Sequence, residues 1–88
     1  MKATGEMIIR EVAGERLLIP VGETALRLHG MITLSETGLL IWQQLQQDCT
    51  EDALVSAILA EYDIDEATAR QDVRAFLEQL SSLDLLQR

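Results

Sequence analysis

The 88-residue chain has little of what most chemistry needs: one cysteine, one histidine, one lysine, one proline, and one each of tryptophan, tyrosine and phenylalanine. A lone cysteine, Cys49, excludes an intramolecular disulfide. Together with the lone histidine, His29, it also falls short of the ligand set of a zinc site, so no metal and no cofactor is expected. The five glycines, at positions 5, 14, 22, 30 and 38, stand singly, which excludes a glycine-rich phosphate loop. No Lys-led apolar leader with a small-residue cleavage site precedes the first patterned segment, and the expectation is a cytoplasmic protein. No apolar run approaches the roughly 20 residues that cross a bilayer, so no membrane partner is expected.

Positive charge is also scarce. Seven basic residues face 15 acidic ones, a formal net charge of −8. From Asp48 to Glu66 the acids Asp48, Glu51, Asp52, Glu61, Asp63, Asp65 and Glu66 meet no basic residue at all. Nucleic-acid binding draws most of its affinity from Lys and Arg neutralising phosphates, and such a surface would repel a phosphate backbone. The acidic run reads as a solvated face with carboxylates favoured at helix N-termini.

What is present is enough apolar material to fold. Hydrophobic residues make up 48% and charged residues 25% of the chain, and 88 residues suit one domain spanning 1–88. "EMIIREV" and "ERLLIPV" are β-prone runs separated by Ala13 and Gly14, the pattern of a hairpin with a tight turn. Alternation puts Leu17, Ile19 and Val21 on one face of the second run, and Pro20, lacking an N–H, belongs at an edge or a strand end. "GETALRLHG", from Gly22 to Gly30, reads as a short strand or an irregular turn, with Leu26 and Leu28 alternating with Arg27 and His29. "MITL" reads as a third short strand.

The remainder has helical periodicity. Ser35, Thr50 and Asp65 are N-caps, their side-chain oxygens suited to accept an orphaned backbone N–H. Behind them run three apolar stripes: Gly38, Ile41, Trp42 and Leu45; Val55, Ile58, Leu59 and Tyr62; and Ala69, Val73, Phe76, Leu77 and Leu80. "LDLL", Leu83 to Leu86, breaks the last stripe and is expected to turn back onto it. The fold expected is α+β, a small three-stranded antiparallel sheet followed by three helices. Such a sheet cannot close, and its unpaired edges are either guarded or used.

Catalysis finds few candidates. Cys49 sits between Asp48 and Thr50 at the head of the acidic run, a setting that disfavours a thiolate, and His29 has no third residue to orient it. "DIDEATARQD" lacks the turn glycine and ligand periodicity of a calcium loop. The expectation is a protein that is not an enzyme.

The segments "VAGERLLIPVGE", "GMITLSETGLLIWQQL" and "AEYDIDEATARQDVRAFLEQLSSLDLL", covering about Ile9 to Leu86, resemble the PqqD family. "ITLSETGLLIW" carries the likeness most specifically, a strand ending in a capping motif and then a helix with an Ile-Trp pair. Ser35 stands where the family usually has Asn, an interchangeable cap. Asp84 stands where a Gly commonly follows the third helix, which bears on the form of that turn.

The resemblance implies a winged-helix-like RiPP recognition element, which binds the leader segment of a ribosomally made precursor peptide. It presents that peptide to a modifying enzyme, often a radical S-adenosylmethionine enzyme. In the family the leader adds as an antiparallel strand to the third strand, in the groove beside the third helix. Carried onto this chain, the docking strand would be Gly30, Met31, Ile32 and Thr33, and the helical wall would use Arg70, Val73, Arg74 and Leu77. Arg70 and Arg74, one turn apart, would meet acidic side chains of a leader. The alternative stays open that both arginines pair with local acids such as Glu66, Asp72 or Glu78, and that Val73 and Leu77 are core. Two other functions share this architecture: a homodimer paired through the open sheet edge, and a winged-helix DNA binder, which the charge opposes.

Overall fold

The computed structural model describes all 88 residues. Nine elements follow in order: β1 Lys2–Ala3, β2 Met7–Val12, β3 Glu15–Pro20, α1 Gly22–Arg27, β4 Ile32–Leu34, α2 Glu36–Gln44, α3 Glu51–Glu61, α4 Glu66–Ser82 and β5 Leu86–Gln87. The main sheet is antiparallel in the order β2-β3-β4, and β1 pairs with β5 as a separate ribbon. The α+β class with a three-stranded antiparallel sheet is therefore as expected, and the three capped helices are α2, α3 and α4.

The sequence builds these elements by local rules. Ala13 and Gly14 both take positive φ, 54° and 81°, closing β2 onto β3 with a two-residue turn whose twist matches the strands. Ser35 Oγ accepts from Gly38 N–H at 3.0 Å, Thr50 Oγ1 from Ala53 N–H at 3.1 Å and Asp65 Oδ1 from Thr68 N–H at 2.7 Å. Each cap satisfies a donor that the first helical turn leaves unpaired. α4 ends where Asp84 takes φ 58°, with Asp84 N–H donating to Ser81 C=O and Leu85 N–H to Leu80 C=O. That pair of bonds is a Schellman closure, and Leu80 and Leu85, both fully buried, supply its apolar contact. The glycine expected at this position is thus replaced by an aspartate that holds the same left-handed conformation. "LDLL" does turn back: Leu85 enters the core and Leu86 joins β5.

One segment departs from the expectation drawn from the sequence. The Gly22–Gly30 segment is neither strand nor irregular at its start but the short helix α1. Long-range bonds hold it: Val21 N–H donates to Glu6 C=O at 2.9 Å, and the buried Thr24 accepts from Glu6 N–H through Oγ1 at 2.7 Å. In the helix Leu26 points out, 81% exposed, while Leu28 packs against the core, so their alternation did not mark a strand face. On β3, Leu17 and Ile19 share a face as expected and are half-buried there, while the core-facing side chain is Leu18 on the opposite face. Finally, the N-terminal residues are structural: Ala3 N–H donates to Leu45 C=O and Thr4 N–H to Leu85 C=O, clamping β1 between α2 and the C-terminal segment.

One core joins sheet and helices. Leu18, Ile32 and Leu34 from the sheet meet Ile41, Trp42 and Leu45 of α2, Leu54, Val55 and Ile58 of α3, and Val73, Phe76, Leu77 and Leu80 of α4. Burying a side chain of this size contributes about 1.5–3 kcal/mol relative to exposure, so Trp42 and its stripe are accounted for by packing. No helix is long and apolar enough to cross a membrane.

Candidate functional site

The hairpin turn determines which backbone groups of the sheet are free. In a two-residue hairpin the residues flanking the turn, here Val12 and Glu15, exchange hydrogen bonds, and bonded and non-bonded pairs then alternate. Counting along the ladder makes Arg10↔Leu17 and Ile8↔Ile19 bonded pairs, and the Val21 N–H to Glu6 C=O bond continues the same phase. Leu17 and Ile19 therefore spend their N–H and C=O on β2, leaving Arg16 and Leu18 to bond β4. Their partners are Leu34 and Ile32, so the intervening Thr33, opposite Leu17, directs both N–H and C=O away from the sheet. β4 is an edge strand, and Thr33 is the backbone pair that it offers.

Beside that edge lies a cleft of about 250 Å³. Thr33, Ser35 and Thr37 line one side. Gly38, Ile41 and the partly accessible Phe76 form its apolar floor, and Asp72, Ala75 and Gln79 of α4 line the other side. A Cβ on Gly38 would come within 3.2 Å of Ser35 Oγ and 3.7 Å of Phe76 Cε1, so the absence of a side chain there keeps the floor open.

The residues expected at the site are divided by the structure. Gly30, Met31 and Thr33 are exposed at or beside the open edge, and Gly30 takes φ 102°, which favours glycine at the turn into β4. Met31 is 60% exposed. Ile32 faces inward and is buried. On α4, Val73 and Leu77 are core residues, 0% and 3% exposed. Arg70 and Arg74 turn toward α3, not toward the cleft. Arg70 Nη1 lies 2.7 Å from Glu51 Oε2, its Nη2 2.9 Å from Asp52 Oδ1, and Arg74 Nε 3.3 Å from Glu51 Oε1. The arginines hold Glu51 below the usual carboxylate range, Arg74 first and Arg70 second. Of the four α4 residues expected to wall the groove, Val73 and Leu77 lie in the core and Arg70 and Arg74 face α3, while the α4 side chains that line the cleft are Asp72, Ala75, Phe76 and Gln79. Those positions repeat at 3, 4 and 7, a signal present in the sequence, but choosing between neighbouring faces requires knowing where α3 docks.

Reactive groups are sparse. Burial pushes the Cys49 thiol up, against the N-terminal ammonium that lowers it, with a smaller upward push from Asp48, so the thiolate is disfavoured chiefly by burial. His29 is exposed. No group of three His, Cys, Asp or Glu side chains is placed to hold a metal ion.

An open strand edge running beside a helix-walled groove is the architecture of domains that bind extended peptides by strand addition. The model of coenzyme PQQ synthesis protein D (PqqD) matches residues 16–86, and the chain belongs to the PqqD family. Among solved structures, TbiB1 in complex with the TbiA(beta) leader peptide is similar, with a TM-score of 0.73 and 29% sequence identity over 99% of this chain and 95% of that one. No curated protein matches the chain significantly.

Proposed function

We propose that the chain binds the leader segment of a ribosomally synthesised precursor peptide by adding it as a strand to β4, and presents it to a modifying enzyme in RiPP or quinone-cofactor biosynthesis. The observation that carries this reading is the outward-directed N–H and C=O of Thr33 beside the β4–α4 cleft, in a PqqD-family chain whose structural neighbour is a leader-peptide complex. Backbone pairing at the edge supplies sequence-tolerant affinity, and side chains entering the cleft supply selection. The chain acts as a binding protein, not as an enzyme. The resemblance points to a radical S-adenosylmethionine enzyme as the partner served, and the cysteine usage points to work in the cytoplasm.

The docking residues under this reading are Gly30, Met31, Ile32 and Thr33 on the strand side, with Asp72, Phe76 and Gln79 on the helix side. DNA binding and self-assembly are not favoured. A charge of −8 opposes the first, and the family and the neighbouring leader complex favour a peptide over a second copy. The test is to record backbone amide spectra while titrating the leader of a precursor peptide encoded beside the gene. Shifts concentrated on Met31–Leu34 and on the cleft side of α4 are expected. Shifts absent from β4 at saturating peptide would overturn the assignment, and light scattering in the same samples reports any dimer.

A further inference from the structure

Asp72 is the one ionisable side chain lining the β4–α4 cleft. It is half-buried and has no ion-pair or hydrogen-bond partner within the chain, because the arginines nearest in sequence, Arg70 and Arg74, are committed to Glu51 on the far side of α4. A half-buried carboxylate without a partner gains from a cation supplied by whatever fills the cleft. The rest of the lining is hydroxyls, an amide and an apolar floor, so nothing else there would recognise charge.

Strand geometry says where that cation would come from. Residues paired across strands share a face. A ligand residue opposite Thr33 therefore points outward with it, while its two neighbours, opposite Ile32 and Leu34, point toward the helices. Those inward positions are two residues apart, about 6.7 Å along a strand. Asp72 and Phe76 are four residues apart on α4, about 6 Å along its axis. One inward side chain can thus meet the edge of the Phe76 ring over Gly38 while the other meets Asp72.

We propose, on the basis of the docking reading above, that the cleft selects leaders carrying a lysine or arginine two residues from an aliphatic side chain, the base against Asp72 and the aliphatic group against Phe76. This reverses the charge expected from Arg70 and Arg74: the site is built for a cationic peptide segment. The net charge of −8 acts in the same direction by drawing such a segment in.

The test is selection of a phage-displayed library of random twelve-residue peptides on the immobilised full chain, in wild-type, Asp72→Asn, Asp72→Arg and Thr33→Pro forms. Wild type is expected to enrich Lys or Arg two residues from Leu, Ile or Val. A synthetic peptide of that pattern should bind Asp72→Asn roughly tenfold more weakly by fluorescence polarisation, and changing its base to Glu should restore binding on Asp72→Arg. Replacing the base by norleucine and titrating wild type gives the same reading without any protein variant. Peptides enriched with no basic residue at that spacing, or norleucine and lysine peptides of equal affinity, overturn the inference while leaving the docking reading intact. If wild type enriches nothing beyond Thr33→Pro, the docking reading falls and the inference with it.

Discussion

Replacing Thr33 by proline isolates the edge from the fold. The ladder phase assigns the bonds between β3 and β4 to Arg16↔Leu34 and Leu18↔Ile32, so Thr33→Pro removes a donor that the folded chain does not use internally. Proline is accepted on edge strands when its missing N–H faces outward, and melting followed by circular dichroism should shift by only a few degrees. Binding should suffer far more. One net hydrogen bond is worth about 0.5–1.5 kcal/mol, and the ligand carbonyl left without its donor costs about 1–3 kcal/mol more as it enters the cleft. A loss of about 2 kcal/mol or more weakens the complex roughly thirtyfold. Fluorescence polarisation with an enriched peptide measures it, and Thr33→Val, which keeps the N–H, should stay within about threefold of wild type. A proline variant that melts like wild type and binds within about twofold would refute strand addition at β4. A collapse of its melting temperature would instead refute the ladder phase drawn from the Ala13–Gly14 turn.

Four further expectations follow from the same geometry. Leu80→Ala, at a fully buried position in the α4 closure, should destabilise by about 2–5 kcal/mol in urea denaturation. Asp84→Gly should raise stability by about 0.5–1 kcal/mol, a melting shift of roughly 2–8 °C, because glycine adopts the observed φ of 58° without a Cβ penalty. Arg74→Glu should leave peptide affinity within about twofold, since its guanidinium faces Glu51 and not the cleft; a large loss would return the arginines to the binding surface. The fourth concerns acid. Glu51 lies below its ordinary 4.5 because of Arg74 and Arg70, and Asp65 below its ordinary 3.8 because of the Thr68 hydroxyl and N–H. A folded-state value below the unfolded one contributes stability that is present above the ordinary pKa and is lost as pH falls through the depressed one. The urea midpoint should therefore be flat from neutral pH down to the ordinary carboxylate range and fall below it, with Glu51→Gln flattening that descent.

Elements governed by local rules were readable in the sequence. The Ala13–Gly14 turn and the caps Ser35, Thr50 and Asp65 depend on a few adjacent residues, and each stands where its chemistry places it. Elements made by distant partners were not. α1 has no side-chain cap and rests on Glu6 bonding to Val21 and Thr24, while β1 rests on Leu45 and Leu85. Neither partner leaves a trace in the local pattern. The site divides along the same line. On the strand side, the short strand was legible as an apolar run after a glycine, and its docking role was implied by the family resemblance. On the helix side, 100° of rotation separates successive residues, and local periodicity does not tell that α3, through Glu51, takes the Arg70–Arg74 side while Asp72, Phe76 and Gln79 line the cleft.

The shortness of β4 bears on time as well as on strength. A strand of three residues with one outward backbone pair cannot grip a peptide along its length, so dissociation requires breaking little main-chain pairing at once. For a dissociation constant on the order of 1 μM and an association rate of about 10⁶ M⁻¹s⁻¹, the complex would last about one second. A carrier that must surrender its cargo to a catalyst benefits from such a brief dwell, and lengthening β4 would tighten the hold at the expense of turnover.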